Sequence, residues 1–310
     1  MKIKHLLFEI SGSCNFNCRY CYFRSRKYSN VINLNKAKQI IYILKKKYDI
    51  QSIGFTGGEP LMRNDLFGIL AYCKRLSIKT SIGTNGSLIN EANVTKIKKY
   101  VNTVTVSIDG DESYFNWVTN SSAYNSVMRG LELLKGNGVL FGVHITVTPQ
   151  NLEHLDPLLG KFRNLGARFV QIGDVQGTQA KTNKKLKDLM LNPNQLLHLY
   201  KIIKDYQDRD ENFIKHVFIS QKNLGTKSQW DKNIRKYFKP FFVVSPDGNL
   251  YPMVDVDNKW ILCEDITMDE ISTPKLDAYI SRIPDLVNIA KKMLKKQDVI
   301  SPYSIINDFL

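Results

Sequence analysis

Residues 5–23 read HLLFEISGSCNFNCRYCYF, and the way this stretch divides decides the architecture. His5–Ser11 is a short β-rich run in which Leu6, Leu7, Phe8 and Ile10 supply the apolar positions of a strand. The chain then turns polar and places Cys14, Cys18 and Cys21 in one loop, with three and two residues between them. Only Cys73 and Cys263 remain elsewhere. A strand that runs into a chemically loaded loop marks the carboxyl edge of an α/β sheet, where such folds keep their sites.

Outward from that stretch the pattern repeats. The segment 35–48, NKAKQIIYILKKKY, has Ile40, Ile41, Ile43 and Leu44 at helical spacing. SIGFTGGEP (52–60) is a strand ending in a glycine-rich turn, DLFGILAYCKRL (65–76) a helix, IKTSIGTNG (78–86) a strand and turn, and EANVTKIKKY (91–100) a helix. VNTVTVSIDG (101–110) is a strand, and AYNSVMRGLELLKGNG (123–138) a helix closed by Gly136 and Gly138, which suit a C-terminal cap. VLFGVHITV (139–147), LEHLDPLLGKFRNLG (152–166) and RFVQIGDV (168–175) add a strand, a helix and a strand. Alternation of this kind predicts a parallel sheet with right-handed crossovers. Six such units give an α/β fold, either doubly wound or an incomplete barrel. The cysteine loop, TGGEP, TNG and SIDG all fall at the carboxyl ends of successive strands.

The bulk composition fits a globular chain: 310 residues, 43% hydrophobic and 24% charged. The sequence has no apolar run of membrane-spanning length and no secretory signal pattern at its start, which predicts a cytoplasmic protein without a membrane partner. A net charge of +15 favours an acidic partner, or reflects lysines that solvate the outer helices. There is no basic run interleaved with aromatics for base stacking, which argues against nucleic acid.

Thiolates in such a cluster suit zinc or iron–sulfur ligation in a reducing compartment. Zinc would need a fourth ligand from Cys73, Cys263 or a distant histidine. A cubane on three cysteines leaves one iron open to a substrate or cofactor. Burial as three small apolar residues fits poorly with a loop carrying Ser11, Ser13, Asn15, Asn17 and Arg19.

The C-x3-C-x-aromatic-C spacing, with Tyr20 before the last cysteine, resembles the signature of the radical S-adenosylmethionine (radical SAM) enzymes. GGEP (57–60) resembles their turn that binds the cofactor's methionyl amino group, and SIDG (107–110) the strand end of their peptide- and natural-product-modifying, SPASM-like branch. The resemblance covers roughly residues 1–180 and implies a partial (β/α)6 TIM-like barrel, with a small α+β C-terminal extension over 181–310. It implies one [4Fe-4S] cluster on Cys14, Cys18 and Cys21, and S-adenosyl-L-methionine chelated to the fourth iron and cleaved to a 5′-deoxyadenosyl radical by an electron from a flavodoxin- or ferredoxin-type reductant. Gly57 and Gly58 would let the backbone approach the methionine, Glu59 would accept from its ammonium, Asn85 and Ser107 would meet ribose and carboxylate, and the Tyr20 backbone would meet adenine. Asn85 and Ser107 have an ordinary alternative as turn chemistry, and Tyr20 as packing under the cluster.

In that branch the extension carries further clusters. Here PFFVVSPDGNLYPMV (240–254) reads as a hairpin turning at Pro246-Asp247-Gly248, expected to cap the strand ends, with Met253 where the resemblance would place a cysteine. We therefore expect a degenerate extension without an auxiliary cluster, which favours a redox-neutral outcome such as epimerisation. Cys263 is the candidate hydrogen-atom donor for it, or a small buried residue. Cys73 reads as structural. His144 lies inside a strand as a core or catalytic histidine, and Asp109 and Asp174 stand at strand ends as turn residues or substrate contacts. A C-terminal helix over 283–297 carries Lys291, Lys292, Lys295 and Lys296. The leading expectation is a radical SAM enzyme acting on a precursor peptide or small natural product. Modification of a nucleotide or nucleic acid, and a metal-stabilised binding protein without enzymatic activity, are the alternatives.

Overall fold

The computed structural model describes residues 5–21, 23, 31–175, 184–218, 241–248, 250–256 and 259–262. Cys263 and the C-terminal helix expected over 283–297 lie outside the described residues. Seven strands follow in chain order with helices between them: β1 (His5–Ser11), β2 (Ser52–Gly57), β3 (Lys79–Thr84), β4 (Thr103–Ser107), β5 (Phe141–Val147), β6 (Val170–Asp174) and β7 (Ile214–Phe218). Every neighbouring pair from β1 to β7 is parallel. The alternation that the sequence predicts is thus present, and β7 adds a parallel strand beyond the six expected. The sheet is α/β and open, a partial barrel: in its strand order β7 and β1 do not pair.

The hairpin sits elsewhere than expected. β8 (Phe241–Val244) and β9 (Leu250–Val256) are antiparallel around a turn in which Gly248 adopts φ 91° and donates to the Ser245 carbonyl. β8 pairs in parallel with β1, and β10 (Lys259–Leu262) pairs with β9. The hairpin therefore extends the sheet at the edge of β1 and does not lie over the strand ends. An open barrel leaves β1 with unpaired backbone groups, and β8 satisfies them.

Helices α1 (Leu34–Tyr48), α2 (Leu66–Arg75), α3 (Glu91–Tyr100), α4 (Glu112–Thr119), α5 (Tyr124–Gly136) and α6 (Leu155–Asn164) connect these strands. α7 (Lys184–Lys187) and α8 (Pro193–Arg209) lead to β7. Local chemistry sets their ends. Asn33 caps α1 through Lys36 N–H, and Asn90 closes a capping box on α3. At the end of α5 only Gly138 adopts the left-handed conformation, at φ 62°, while Gly136 is the last helical residue. α4 was not legible as a helix. Asp111 caps its start, the side chain accepting from Tyr114 N–H.

Alternation along the strands divides the sheet into two faces. Leu6, Phe8, Ile10, Val104, Val106, Val143, Ile145, Val170 and Ile172 pack against Ile40, Leu44, Leu131, Leu134 and Phe162 of the helices in one core. The opposite, inner face is mostly polar and small: Glu9, Thr56, Ser81, Gly83, Thr105, Ser107, Gly142, His144, Gln171 and Gly173, with Leu7 over Gly54. That division places the chemistry inside the barrel.

Candidate active site

The cysteine loop leaves β1 and is held on three sides. The first hold is the glycine turn after β2. Gly58 N–H donates to Ser11 O at 2.9 Å and Glu59 N–H to Ser13 O at 2.7 Å. Gly57 lies at φ 116°, and a Cβ there would stand 2.6 Å from Ser11 O; at Gly58 it would stand 2.0 Å from Ser13 O. The two glycines are thus required by the approach of the cysteine loop itself.

The second hold is the C-terminus of α4. A helix leaves its last carbonyls without partners, and here the loop supplies donors. Asn17 N–H donates to Thr119 O, Arg19 N–H to Val118 O at 2.8 Å, and Arg19 Nε to Trp117 O at 2.9 Å, with the guanidinium 4.8 Å from the centre of the Trp117 ring. Phe16 adds an edge-on contact with Phe115 of the same helix.

The third hold is Tyr20. Its hydroxyl donates to Oδ2 of Asp109, just past β4, while Oδ1 of Asp109 accepts from Thr146 N–H at 2.7 Å. Asn151 closes the arrangement by donating to the carbonyls of Asp109 and Thr146. Burial pushes the Asp109 carboxyl up to about 6, against these hydrogen bonds, which lower it. The Tyr20 ring packs against Val175, Leu186 and Leu189.

The three cysteines are partly buried. Burial raises the Cys14 thiol, with the negative charges of Glu59 and Cys21 adding to it. Burial likewise raises Cys18, helped by Asp109, Cys21 and Cys14. Thiolates that oppose one another's ionisation in this way are suited to a cationic centre, which binds them deprotonated. Among the described residues, no three His, Cys, Asp or Glu side chains converge as a single metal ion needs. A cubane asks for something different, since each thiolate takes its own iron. Cys73 is fully buried in the apolar core on α2, pushed up to about 12 by that burial, as its structural reading requires.

Glu59 is fully buried. Its carboxylate accepts from Leu61 N–H at 2.9 Å, Thr84 Oγ1 at 2.7 Å and Asn85 N–H at 2.7 Å, and burial raises it. It knots the ends of β2 and β3 together. Asn85 lies beside Cys14. Its Nδ2 donates to Asn15 Oδ1 at 2.8 Å and stands 3.9 Å from Cys14 Sγ, while its Oδ1 accepts from Ser87. Ser107 ends β4 directly across from His144 on β5, and Asp174 ends β6.

Sequence reasoning missed two positioning residues. Arg63 donates to the carbonyls of Ile10 and Ile32 and pairs with Asp65, fixing the exit of β1. Asn15 joins the cysteine loop to Asn85 and Ser87. The only signal for either is its place beside a motif residue.

A model of the radical SAM superfamily matches residues 8–162. An AdoMet-dependent heme synthase of Oleidesulfovibrio alaskensis is 32% identical over 167 residues, 52% of this chain and 43% of the relative. A serine-type anaerobic sulfatase-maturating enzyme of Klebsiella aerogenes is 28% identical over 188 residues, 54% of this chain and 45% of the relative. The chain thus spans under half the length of these two curated relatives. In fold it resembles native anSMEcpe with bound AdoMet, with a TM-score of 0.66 at 20% identity, over 87% of this chain and 80% of that one.

Proposed function

The chain belongs to the radical SAM superfamily, and we propose that it abstracts a hydrogen atom from a peptide. Membership makes it a radical SAM enzyme and sets aside the reading as a metal-stabilised binding protein. The observation that carries the proposal is the clamped loop: Cys14, Cys18 and Cys21 share one site at the carboxyl edge, held by the GGEP turn, α4 and Asp109. These three would hold a [4Fe-4S] cluster. Gly57, Gly58, Glu59, Asn85, Ser107 and the Tyr20 backbone would line the place for S-adenosyl-L-methionine. When bound and reduced by a flavodoxin- or ferredoxin-type donor, the pair supplies a 5′-deoxyadenosyl radical.

The chain's own residues supply position. Backbone bonds from Gly58 and Glu59 hold Ser11 and Ser13 and so fix the start of the cysteine loop. Phe16 and Phe115 close the apolar side of the loop against water. Asn85 offers an amide at the mouth beside Cys14. Cys263, outside the described residues, is the proposed donor of a hydrogen atom to the substrate radical. Its S–H bond breaks, a C–H bond forms, and an outside reductant restores the thiol. The sulfatase-maturating relative supports a peptide as the substrate class.

Anaerobic reconstitution tests the reading. The reduced enzyme should release 5′-deoxyadenosine, and a deuterated peptide substrate should pass deuterium into it. Release that responds to a nucleoside triphosphate or a porphyrin, and to no peptide, sinks the peptide assignment.

No helix among the described residues is long and apolar enough to cross a membrane.

A further inference from the structure

Polar side chains on the inner wall away from the cysteine loop stand without partners. Among the described residues, the buried Oγ1 of Thr105 and the buried Nε2 of Gln171 have no hydrogen-bond partner, and both residues are 5% exposed. An unpaired buried polar atom costs stability, so native interiors keep few of them. The two belong to one place. Thr105 on β4 lies opposite Gly142 on β5, and Gln171 on β6 lies opposite His144 on β5. Residues paired in parallel strands share a face, so Thr105, His144 and Gln171 look into the same interior.

The floor of that interior is built. Gly142 has no side chain, and the ring of Phe169 takes the room: a Cβ at Gly142 would stand 2.4 Å from it. Phe169 closes the wall below the three polar groups, and His144 and Ser107, both only partly buried, leave it open toward the mouth.

We propose that Thr105, His144 and Gln171 form a subsite inside the barrel for an uncharged oxygen-bearing group, a hydroxyl or a carboxamide. The chemistry follows from the donors and the charges. Gln171 Nε2 donates, and the Thr105 hydroxyl donates or accepts. Burial pulls His144 down to about 4, so its ring is neutral and offers one donor and one acceptor. The neighbours on this face, Gly83, Thr103, Ser107, Gly142 and Gly173, carry no charge, Glu9 brings a buried carboxylate to the same face, His216 of β7 is the register partner of Gln171, and Lys215 lies 5.7 Å over the Phe169 ring. A carboxylate or phosphate entering here would lose its hydration, and Thr105, Gln171 and a neutral His144 offer it no charge in return. The hydroxyl or carboxamide has two possible sources, the cofactor's ribose or the substrate, and the test separates them.

Thr105→Val and Gln171→Leu remove the unpaired atoms and nearly keep the shape. Each should raise the melting temperature of the cofactor-free protein by roughly 2–4 °C. A melting temperature that stays level or drops means that these atoms already have partners, and overturns the subsite. Calorimetry on the reconstituted holoenzyme reads the ligand. S-adenosyl-L-methionine is titrated first, and N-acetylasparagine amide follows with the cofactor saturating. Weakening of the first by roughly tenfold in both variants assigns the site to the ribose; weakening of the second alone assigns it to substrate. If both bind the variants as they bind the wild type, or if N-acetylaspartate amide binds as well as its asparagine counterpart, the subsite is wrong.

Discussion

Tyr20 donates its hydroxyl to Oδ2 of Asp109, and the bond joins the middle of the cysteine loop to the carboxyl end of β4. It turns the aromatic position of the cysteine motif into a structural clasp. A double-mutant cycle with Tyr20→Phe and Asp109→Asn should show a coupling of about 1–3 kcal/mol in chemical denaturation. A coupling within about 0.3 kcal/mol of zero would mean that the clasp contributes nothing.

Gly58→Ala should fail where Gly68→Ala succeeds. At Gly58 the new methyl would stand 2.0 Å from the Ser13 carbonyl, whereas at Gly68 in α2 the nearest atom is a Leu34 methyl at 3.5 Å. The Gly58 variant should lose iron on reconstitution and melt earlier. The Gly68 variant should hold its iron and gain about 0.5–1 kcal/mol from helix propensity. Full iron loading in Gly58→Ala would refute the tight approach of turn and loop.

Replacing any one of Cys14, Cys18 and Cys21 with Ala should abolish cleavage of S-adenosylmethionine. The wild type should carry about four irons per chain, one cubane. Wild-type cleavage in a single-cysteine variant, or spectra of two distinct clusters in the monomer, contradicts this.

His144 gives the fold an acid-sensitive element. Its folded value is pulled down to about 4 by burial, against about 6.5 in an unfolded chain. The stability it contributes is complete above the unfolded value and is lost as pH falls toward 4. Asp109, held up to about 6, has the opposite slope, since its folded form keeps a proton that the unfolded chain has released. The difference between wild type and His144→Gln isolates the histidine: it should be flat above pH 6.5 and turn against the wild type below it. A difference that stays level down to pH 4 shows that His144 ionises normally in the fold.

Cys263→Ala should still cleave the cofactor and abstract from substrate, yet form little inverted product. In deuterated water the wild-type product should carry solvent deuterium at the altered carbon. Normal inversion in the variant rules out Cys263 as donor.

The sequence by itself determined the cysteine spacing, the parallel alternation of strands and helices, and the edge on which the loops meet. These are local properties: cysteine spacing, helical and strand periodicity, and turn residues act within a few positions of one another. It did not show α4, because the helix is only eight residues long and Tyr114, Phe115, Trp117, Val118 and Thr119 are residue types that favour strands. It placed the hairpin over the mouth, since a hairpin's sequence does not say which sheet edge is open. The tertiary structure alone decided that Arg19 caps α4, that Glu59 accepts from Leu61, Thr84 and Asn85, and that Thr105 and Gln171 look into one interior without partners. Those outcomes depend on strand register and on contacts between residues far apart in the chain, and they are settled only when the sheet closes its backbone bonds and fixes which side chains share a face.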